Sequence, residues 1–229
     1  MRNRIFQTLW FAVRYLFPRK TGTGLAVGDY AVRIVAQLLL ARLFGGPDLV
    51  LIGDSNSEAF SNEKDMARLS DAGVACGLGI GGTRGDQWVI FFRSRLGRLV
   101  MMLIGDAHVI WNIGGNHVLQ KQMGSVSQAY ADLRALFPSS RIILIPPIHY
   151  SILRTLGLPE DETRENVRIV NQLAREEWGQ GHCIDLYQTF LDHSTGEAYP
   201  LILADMVHYG PLAREIIVRV ILAVIGGAN

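Results

Sequence analysis

From Pro47 onward, short apolar segments alternate with helical windows, and this alternation constrains the fold more than any other feature of the chain. The predicted strands are Asp48–Ile52, Val74–Leu78, Ala107–Ile113, Arg141–Ile145 and His182–Leu186. The predicted helices are Ser57–Leu69, Gly85–Leu99, Ser125–Phe137, Thr163–Trp178 and Pro211–Ile225. Such alternation is typical of a parallel sheet covered on both faces. With right-handed crossovers, we expect an α/β fold, a doubly wound three-layer sandwich around a mostly parallel five-stranded sheet.

The chain is long enough to bury a substantial core without help from a metal ion or a disulfide. Its 229 residues indicate one large domain, or one domain with an extension. Cys76 and Cys183 are its two cysteines, and neither has a second cysteine two or three residues away. The sequence therefore predicts no metal site, and a net charge of +1 excludes a strongly basic nucleic-acid-binding protein.

The near-neutral total hides an uneven distribution of charge. Residues 1–47 carry seven basic residues and one acid, a net charge of +6. Residues 48–229 carry fifteen basic residues and twenty acids, a net charge of −5. A basic N-terminal extension, residues 1–46, thus precedes an acidic body, residues 47–229. Such asymmetry indicates contact with an anionic surface or a partner.

The first residues allow two interpretations. A basic start before the uncharged segment Ile5–Val13 has the outline of a secretory signal. That segment is short, contains Gln7 and Thr8, and is not followed by a clear small-residue cleavage site, which favours the second interpretation. In this one, an amphipathic helix runs from about Asn3 to Phe17 and ends at Pro18. No apolar run reaches the ~18–20 residues that span a bilayer, so we expect a cytoplasmic protein, with peripheral membrane attachment left open.

A second helix is predicted from about Val27 to Leu43, ending before Gly45. The pattern favours a buried face formed by four apolar residues, Val32, Val35, Ala36 and Leu39. Two roles remain open for the pair of helices. They either pack on the body as a local extension, or they bind a membrane surface or a partner through their arginines.

Ligands of doubly wound sheets bind at the carboxyl ends of the strands, so the residues that follow each strand are informative. The first strand is followed by Gly53-Asp54-Ser55-Asn56. A serine on such a tight strand-to-helix turn is exposed, and its own N–H faces the crevice. Gly-Asp-Ser by itself indicates only a turn, because all three residue types are common in turns.

Glycines follow the second strand, and an asparagine follows the third. Gly77, Gly79 and Gly82 match a dinucleotide-binding pattern, but no acid follows at the end of the third strand to hold a ribose. These glycines more plausibly let the backbone turn sharply beside a ligand. Asn116, in Gly114-Gly115-Asn116-His117, carries an amide that can donate to an oxyanion.

The last strand is followed by a long loop that leads to Asp205 and His208, just before the final helix. An acid and a histidine three residues apart can meet on a turn, so that the carboxylate holds one imidazole nitrogen while the other faces outward. We expect structural or solvent-facing roles for His108, His149, His182 and His193. All the singled-out features fall at one sheet edge and together supply a nucleophile, oxyanion donors, an acid and a base.

On these residues, the body resembles the GDSL/SGNH hydrolases, a superfamily of serine esterases and lipases. Over about residues 47–229, Gly53-Asp54-Ser55 is similar to the first conserved block, and Gly82 to the glycine of the second, with Gly81 as an alternative. Gly115-Asn116 is similar to the third block and Asp205-x-x-His208 to the fifth. His117 departs from the family pattern, which suggests a reshaped pocket. The resemblance implies a flavodoxin-like sandwich and does not extend to the N-terminal extension.

The resemblance also implies the roles of the matching residues. Ser55 would be the nucleophile, His208 the base and Asp205 the acid that orients it. The N–H groups of Ser55 and Gly82, with the Asn116 amide, would hold the oxyanion. No cofactor is implied.

The implied reaction is hydrolysis of a carboxylic ester, with a small-molecule or lipid-like substrate and no nucleic acid. For Trp88, Tyr150 and Tyr209 we expect packing in the core or loops more than a pocket role. The alternative is an SGNH-type fold used as a binding or structural subunit, attached to a membrane or a protein complex through residues 1–46.

Overall fold

The computed structural model describes residues 5–6, 8–10, 12–13, 27–60, 65, 68–69, 71, 73–199 and 208–226. At its centre lies one five-stranded sheet, as the alternation of apolar segments predicts. Its strands are β1 (Leu49–Gly53), β2 (Ala75–Gly79), β3 (His108–Asn112), β4 (Arg141–Ile143) and β5 (Cys183–Ile184). The strand order is β2-β1-β3-β4-β5 and every pairing is parallel. The expected α/β sandwich is thus confirmed, with β4 and β5 shorter than predicted.

Helices lie on both sides of this sheet, and several short ones were not predicted. In chain order the α-helices are α1 (Ala31–Leu43), α2 (Ser55–Ala59), α3 (Gly85–Arg93), α4 (Arg95–Ile104), α5 (Gly115–Leu119), α6 (Val126–Leu136), α7 (Tyr150–Thr155), α8 (Glu160–Trp178), α9 (Leu186–Phe190) and α10 (Pro211–Gly226). A small antiparallel hairpin, β6 (Leu191–Asp192) and β7 (Glu197–Ala198), occupies part of the expected long loop.

The strand order assigns the helices to two layers. The chain moves from β1 to β2 in one direction and from β2 through β3, β4 and β5 in the other. Right-handed crossovers therefore put the β1–β2 connection on one face and α3, α4, α6 and α8 on the opposite face. Helix α1 contacts α4 and belongs to that second layer. Helix α10 belongs to the first, because Arg214 and Glu215 bind Asp65 and Arg68 of the β1–β2 connection.

The predicted helix Gly85–Leu99 is two helices that meet at Ser94. The Ser94 hydroxyl accepts a hydrogen bond from the Gly97 N–H at 3.0 Å and caps α4. A Cβ on Gly97 would lie 2.0 Å from the Phe91 carbonyl oxygen, so only glycine lets the second helix begin so close to the first. The serine cap and the small residue after it mark the break.

The predicted buried face of α1 is wrong. Val32 and Leu39 are exposed, whereas Ile34 and Leu38 are buried. Arg33 is also buried, since its guanidinium donates to the Gly79 carbonyl oxygen at 3.4 Å. Apolar residues occupy almost every side of this helix, so their spacing does not distinguish the side that packs on the sheet.

The described part of the N-terminal extension packs on the body. Residues 5, 6, 8–10, 12 and 13 are helical, and the remainder of the predicted Asn3–Phe17 helix lies outside the described residues. Phe6 and Trp10 are buried, and the ring of Phe6 lies 5.5 Å from that of Phe44, just after α1. In the part of the chain that the structure describes, no helix is long and apolar enough to cross a membrane.

Candidate active site

Ser55 is the first residue of α2, directly beyond the carboxyl end of β1. The Asp54 side chain caps this helix by accepting a hydrogen bond from the Asn56 N–H at 2.9 Å. Gly53 permits the turn, because a Cβ there would lie 2.0 Å from the Asn112 carbonyl oxygen of β3. The half-buried Ser55 therefore sits at the predicted strand-to-helix turn.

His208 lies beside Ser55, although 153 residues separate them in the chain. Its Nε2 is 2.9 Å from the Ser55 Oγ, within the reach that a nucleophile and its base require. Both backbone groups of the next residue, Tyr209, are held by hydrogen bonds. The Tyr209 N–H donates to the Asn56 Oδ1 at 2.9 Å, and the Arg214 guanidinium donates to the Tyr209 carbonyl oxygen at 2.6 Å.

Asn56 and Arg214 are positioning residues that the sequence analysis did not assign. Arg214 is itself held by the Asp65 carboxylate at 2.7 Å, and that carboxylate is buried. The only sequence signal for Asn56 was its position directly after the serine. Arg214 had no signal, because its carboxylate partner Asp65 is 149 residues away in the chain.

The acid expected beside His208 cannot be placed. Asp205 lies outside the described residues, as do residues 200–204 before it and residues 206–207 after it. Its predicted role therefore stays a prediction.

The expected oxyanion donors Gly82 and Asn116 lie beyond the carboxyl ends of β2 and β3, in the turn after β2 and at the start of α5. The Asn116 amide donates to the Thr83 carbonyl oxygen at 3.0 Å and makes a longer contact of 3.5 Å with the Asp54 carboxylate. Gly82 has a φ of +77°, in the region that favours glycine, and its carbonyl oxygen accepts from Gln120 at 2.8 Å. This tethers the glycine turn after β2 to the segment after α5.

Gly81 and Gly82 differ in the hydrogen bonds of their backbone groups. The Gly81 N–H donates to the carboxylate of the buried Glu58 at 3.2 Å, so it is already engaged. Glu58 lies on α2, three residues after the serine, and ties the glycine turn to the helix that carries Ser55. Of the two alternatives, Gly82 is the better candidate for an oxyanion donor.

A pocket opens beside Ser55 at the carboxyl edge of the sheet. Its polar wall includes Asp54, Asn112 and Asn116, and Tyr209 also lines it. The remaining wall is mainly apolar and is formed by Ile113, Leu119, Ile145, Pro146, Pro147 and Ile148. An apolar pocket with a few converging polar groups is typical of small-molecule sites.

The apolar wall is anchored by a side chain from α8. The Asn171 amide both accepts from the Ile145 N–H and donates to the Ile145 carbonyl oxygen, each at 2.8 Å. This pair of hydrogen bonds replaces the sheet pairing that β4 loses before its two prolines. The sequence carries no local signal for this role of Asn171.

The burial of Asp54 perturbs its ionisation. Desolvation raises the pKa of this carboxyl group to about 6, against the smaller opposing effects of the Asn56 N–H and the charge of His208. Asp54 thus titrates near neutral pH within contact of the Asn116 amide.

His117, the departure from the family pattern, is not part of the pocket lining. It is fully buried, and its Nε2 accepts a hydrogen bond from the Gly85 N–H at 3.0 Å. Its Nδ1 lies 3.2 Å from the Gln122 carbonyl oxygen and therefore carries the proton. Burial, the main cause, lowers the pKa of His117. The expectation of a reshaped pocket is not supported, since His117 joins α3 to the segment after α5.

The other residues with expected roles are placed as follows. Trp88 packs in an aromatic cluster with Phe91 and Phe92. His149 pairs with Glu197 at 3.3 Å. The side chain of Tyr150 lies outside the described residues. Within the described ranges, no group of three or more metal-ligating side chains is found, and both cysteines are free.

Comparison with known proteins shows that this chain is similar in structure to several solved proteins. No protein-family model and no curated protein matches the sequence. A protein named as an acylhydrolase, from Bacteroides fragilis NCTC 9343, is similar with a TM-score of 0.62 at 17% identity, over 92% of this chain and 99% of that one. A GDSL-like lipase from Bacteroides thetaiotaomicron VPI-5482 has a TM-score of 0.61 at 16% identity, over 89% and 98%. A lipase/acylhydrolase from Enterococcus faecalis has a TM-score of 0.57 at 19% identity, over 80% and 96%.

The similarity extends over nearly all of the length of those three proteins. Their low identity limits the similarity to the fold. The chain has a GDSL/SGNH hydrolase-like fold.

Proposed function

We propose that this protein is a serine hydrolase that cleaves carboxylic esters through an acyl-enzyme on Ser55. The observation that carries the proposal is the 2.9 Å contact between the Ser55 Oγ and the His208 Nε2, at the mouth of an apolar pocket. The esterase-type fold supports the same reaction class. Fold alone does not determine function, so the proposal depends on the site.

In the first step, the Ser55 Oγ attacks the ester carbonyl carbon while its proton moves to the His208 Nε2. We assign the resulting oxyanion to the N–H groups of Ser55 and Gly82 and to one N–H of the Asn116 amide. One N–H of the Asn116 amide is held by Thr83 at 3.0 Å, and the other makes only the longer 3.5 Å contact with Asp54, which it would exchange for the oxyanion.

Collapse of the tetrahedral intermediate breaks the bond to the alcohol, which takes the proton from His208. Water then attacks the acyl-enzyme, with His208 again as the base, and releases the acid and free Ser55. The second imidazole nitrogen needs an acceptor to hold the ring during this cycle. We assign that role to Asp205, three residues before His208 in the sequence.

We infer that the acyl group of the substrate lies in the pocket. Six apolar residues line it, and one buried methylene contributes about 0.8 kcal/mol, or roughly fourfold in affinity. This favours an acyl chain of several carbons over acetate, in a small-molecule or lipid-like ester.

A series of p-nitrophenyl esters from acetate to palmitate tests the proposal. The wild type should hydrolyse several of them, and Ser55→Ala should lose the activity while it folds normally. Hydrolysis that survives in Ser55→Ala would contradict the assignment of the nucleophile. The alternative of a binding subunit predicts that the folded wild type hydrolyses none of the series.

A further inference from the structure

The outward side of helix α1 is apolar. Val32, Leu39 and Leu43 are 63%, 50% and 82% exposed. Spacings of seven and four residues place the three on one stripe of the helix. The opposite side, which packs on the body, holds the polar residues Arg33 and Gln37 in addition to apolar ones. A surface helix usually buries apolar residues and exposes polar ones, whereas α1 exposes three large apolar residues and buries two polar ones.

Helix α4, which packs beside α1, has the same property. Leu96, Leu99 and Met102 are exposed, and Met102 is exposed to 74%. The Arg42 guanidinium donates to the carbonyl oxygens of Leu103 at 2.8 Å and Met102 at 2.9 Å. These bonds join the carboxyl ends of the two helices and bring Leu43 and Met102 to the same end of the pair.

The two stripes lie on helices that pack against each other, and we call them together the α1/α4 face. Its exposed apolar members are Val32, Leu39, Leu43, Leu96, Leu99 and Met102. They are half of the large exposed hydrophobic residues in the described part of the chain. Contiguous exposed apolar residues indicate an interaction surface, whereas isolated ones do not.

The charge of α1 and α4 indicates which kind of partner the α1/α4 face binds. They contain no acidic residue, and of their four arginines Arg33 is buried and Arg42 is bound to carbonyl oxygens of α4. Arg95 and Arg98 are exposed on α4. A second copy of the same face would bring arginines against arginines, which disfavours self-association. Protruding leucines and methionine flanked by arginines match a lipid surface with anionic headgroups.

We propose that the α1/α4 face docks the protein on an anionic membrane surface. Leu43 and Met102 insert among the acyl chains near the headgroups, and Arg95 and Arg98 contact lipid phosphates. This inference does not depend on the esterase activity. The sequence suggested membrane contact by the N-terminal extension alone. The proposed surface also includes α4, which belongs to the body.

Flotation of the full chain with vesicles tests the proposal. One set contains phosphatidylcholine only, and the other an equal mixture of phosphatidylcholine and phosphatidylglycerol. We expect the wild type to float with the mixed vesicles and less with the neutral ones. The double variant Leu43→Glu/Met102→Glu should lower the fraction bound at least about tenfold. Arg95→Glu/Arg98→Glu should weaken binding to the mixed vesicles and abolish their advantage.

Leu212→Glu is the matched control, because Leu212 is 49% exposed on α10, in the other helix layer. It should float as the wild type does, and circular dichroism should show that all variants are folded. The proposal is overturned if the wild type does not float, or if Leu43→Glu/Met102→Glu floats equally well. It is also overturned if light scattering finds a wild-type dimer that this double variant dissociates, since the face would then be covered by a second copy.

Discussion

The backbone N–H of Tyr209 donates a hydrogen bond of 2.9 Å to the side-chain oxygen of Asn56. Each partner is next to a residue of the proposed machinery, since Asn56 follows Ser55 and Tyr209 follows His208. The bond therefore joins the first strand-to-helix turn to the segment before the last helix. It holds the segment that carries His208 against the turn that carries Ser55.

Replacement of Asn56 tests this positioning role. In Asn56→Ala the His208 segment loses one of its anchors, so we expect kcat to fall by about tenfold to a hundredfold with little change in KM. Asn56→Asp keeps an acceptor for the Tyr209 N–H and should recover part of the loss. Steady-state kinetics with one ester measure both variants. Wild-type kcat in Asn56→Ala would contradict the role.

Asp54 should make stability depend on pH. Its pKa rises from 3.8 to about 6 on folding, so the folded state holds the proton more tightly than the unfolded state does. The stabilisation is present below pH 3.8 and is lost as the pH rises through 6. From pH 4 to pH 7 this contribution to the free energy of unfolding should fall by about 2 kcal/mol.

Asp54→Asn keeps the helix cap and lacks the titration. Urea unfolding of both proteins at several pH values gives the difference in their free energies of unfolding. That difference should shift in favour of the variant as the pH rises from 4 to 7. A constant difference would show that the Asp54 carboxyl is not perturbed.

His117 should have the opposite dependence on pH. Burial lowers its pKa below 6.5, so the unfolded chain binds a proton there before the folded one does. Its contribution is present above pH 6.5 and is lost as the pH falls below that value. His117→Ala should reduce the free energy of unfolding by about 2–4 kcal/mol at pH 7.5 and by less at pH 5. An equal loss at both pH values would contradict the buried neutral state.

Leu119 should limit the length of the acyl chain. It lies in the apolar wall of the pocket, and a larger side chain there removes space for methylenes. Leu119→Trp should lower kcat/KM for octanoate by about tenfold or more and leave that for acetate within about threefold. Leu156→Trp, at an exposed leucine outside the pocket, is the control. Equal losses on both esters in Leu119→Trp would place the acyl chain elsewhere.

The sequence was sufficient to predict the sheet and the pairing of Ser55 with His208. Buried strands such as Leu49–Gly53 are continuous apolar segments, and parallel strands bring their carboxyl ends to one edge whatever their distance in the chain. For this reason Ser55 and His208 were expected at one sheet edge, and their side chains lie 2.9 Å apart although 153 residues separate them.

Features that depend on a particular tertiary contact were not predictable. Asn171 supports the pocket wall only because α8 passes beside Ile145, and no local pattern marks an asparagine in the middle of a helix. The buried side of α1 was predicted incorrectly because apolar residues surround that helix. The contacts of Arg33 with Gly79 and of Arg42 with α4 decide which side faces inward.

The most direct test of the central claim is the mass of the peptide that contains Ser55 after treatment with a fluorophosphonate, a reagent that phosphonylates activated serine hydroxyls. The account predicts one phosphonate adduct per chain on the peptide that contains Ser55, in the wild type and not in Ser55→Ala. His208→Ala should abolish the adduct as well, because the serine then has no base at 2.9 Å. An unlabelled, folded wild type, or an adduct on another serine, would contradict the account.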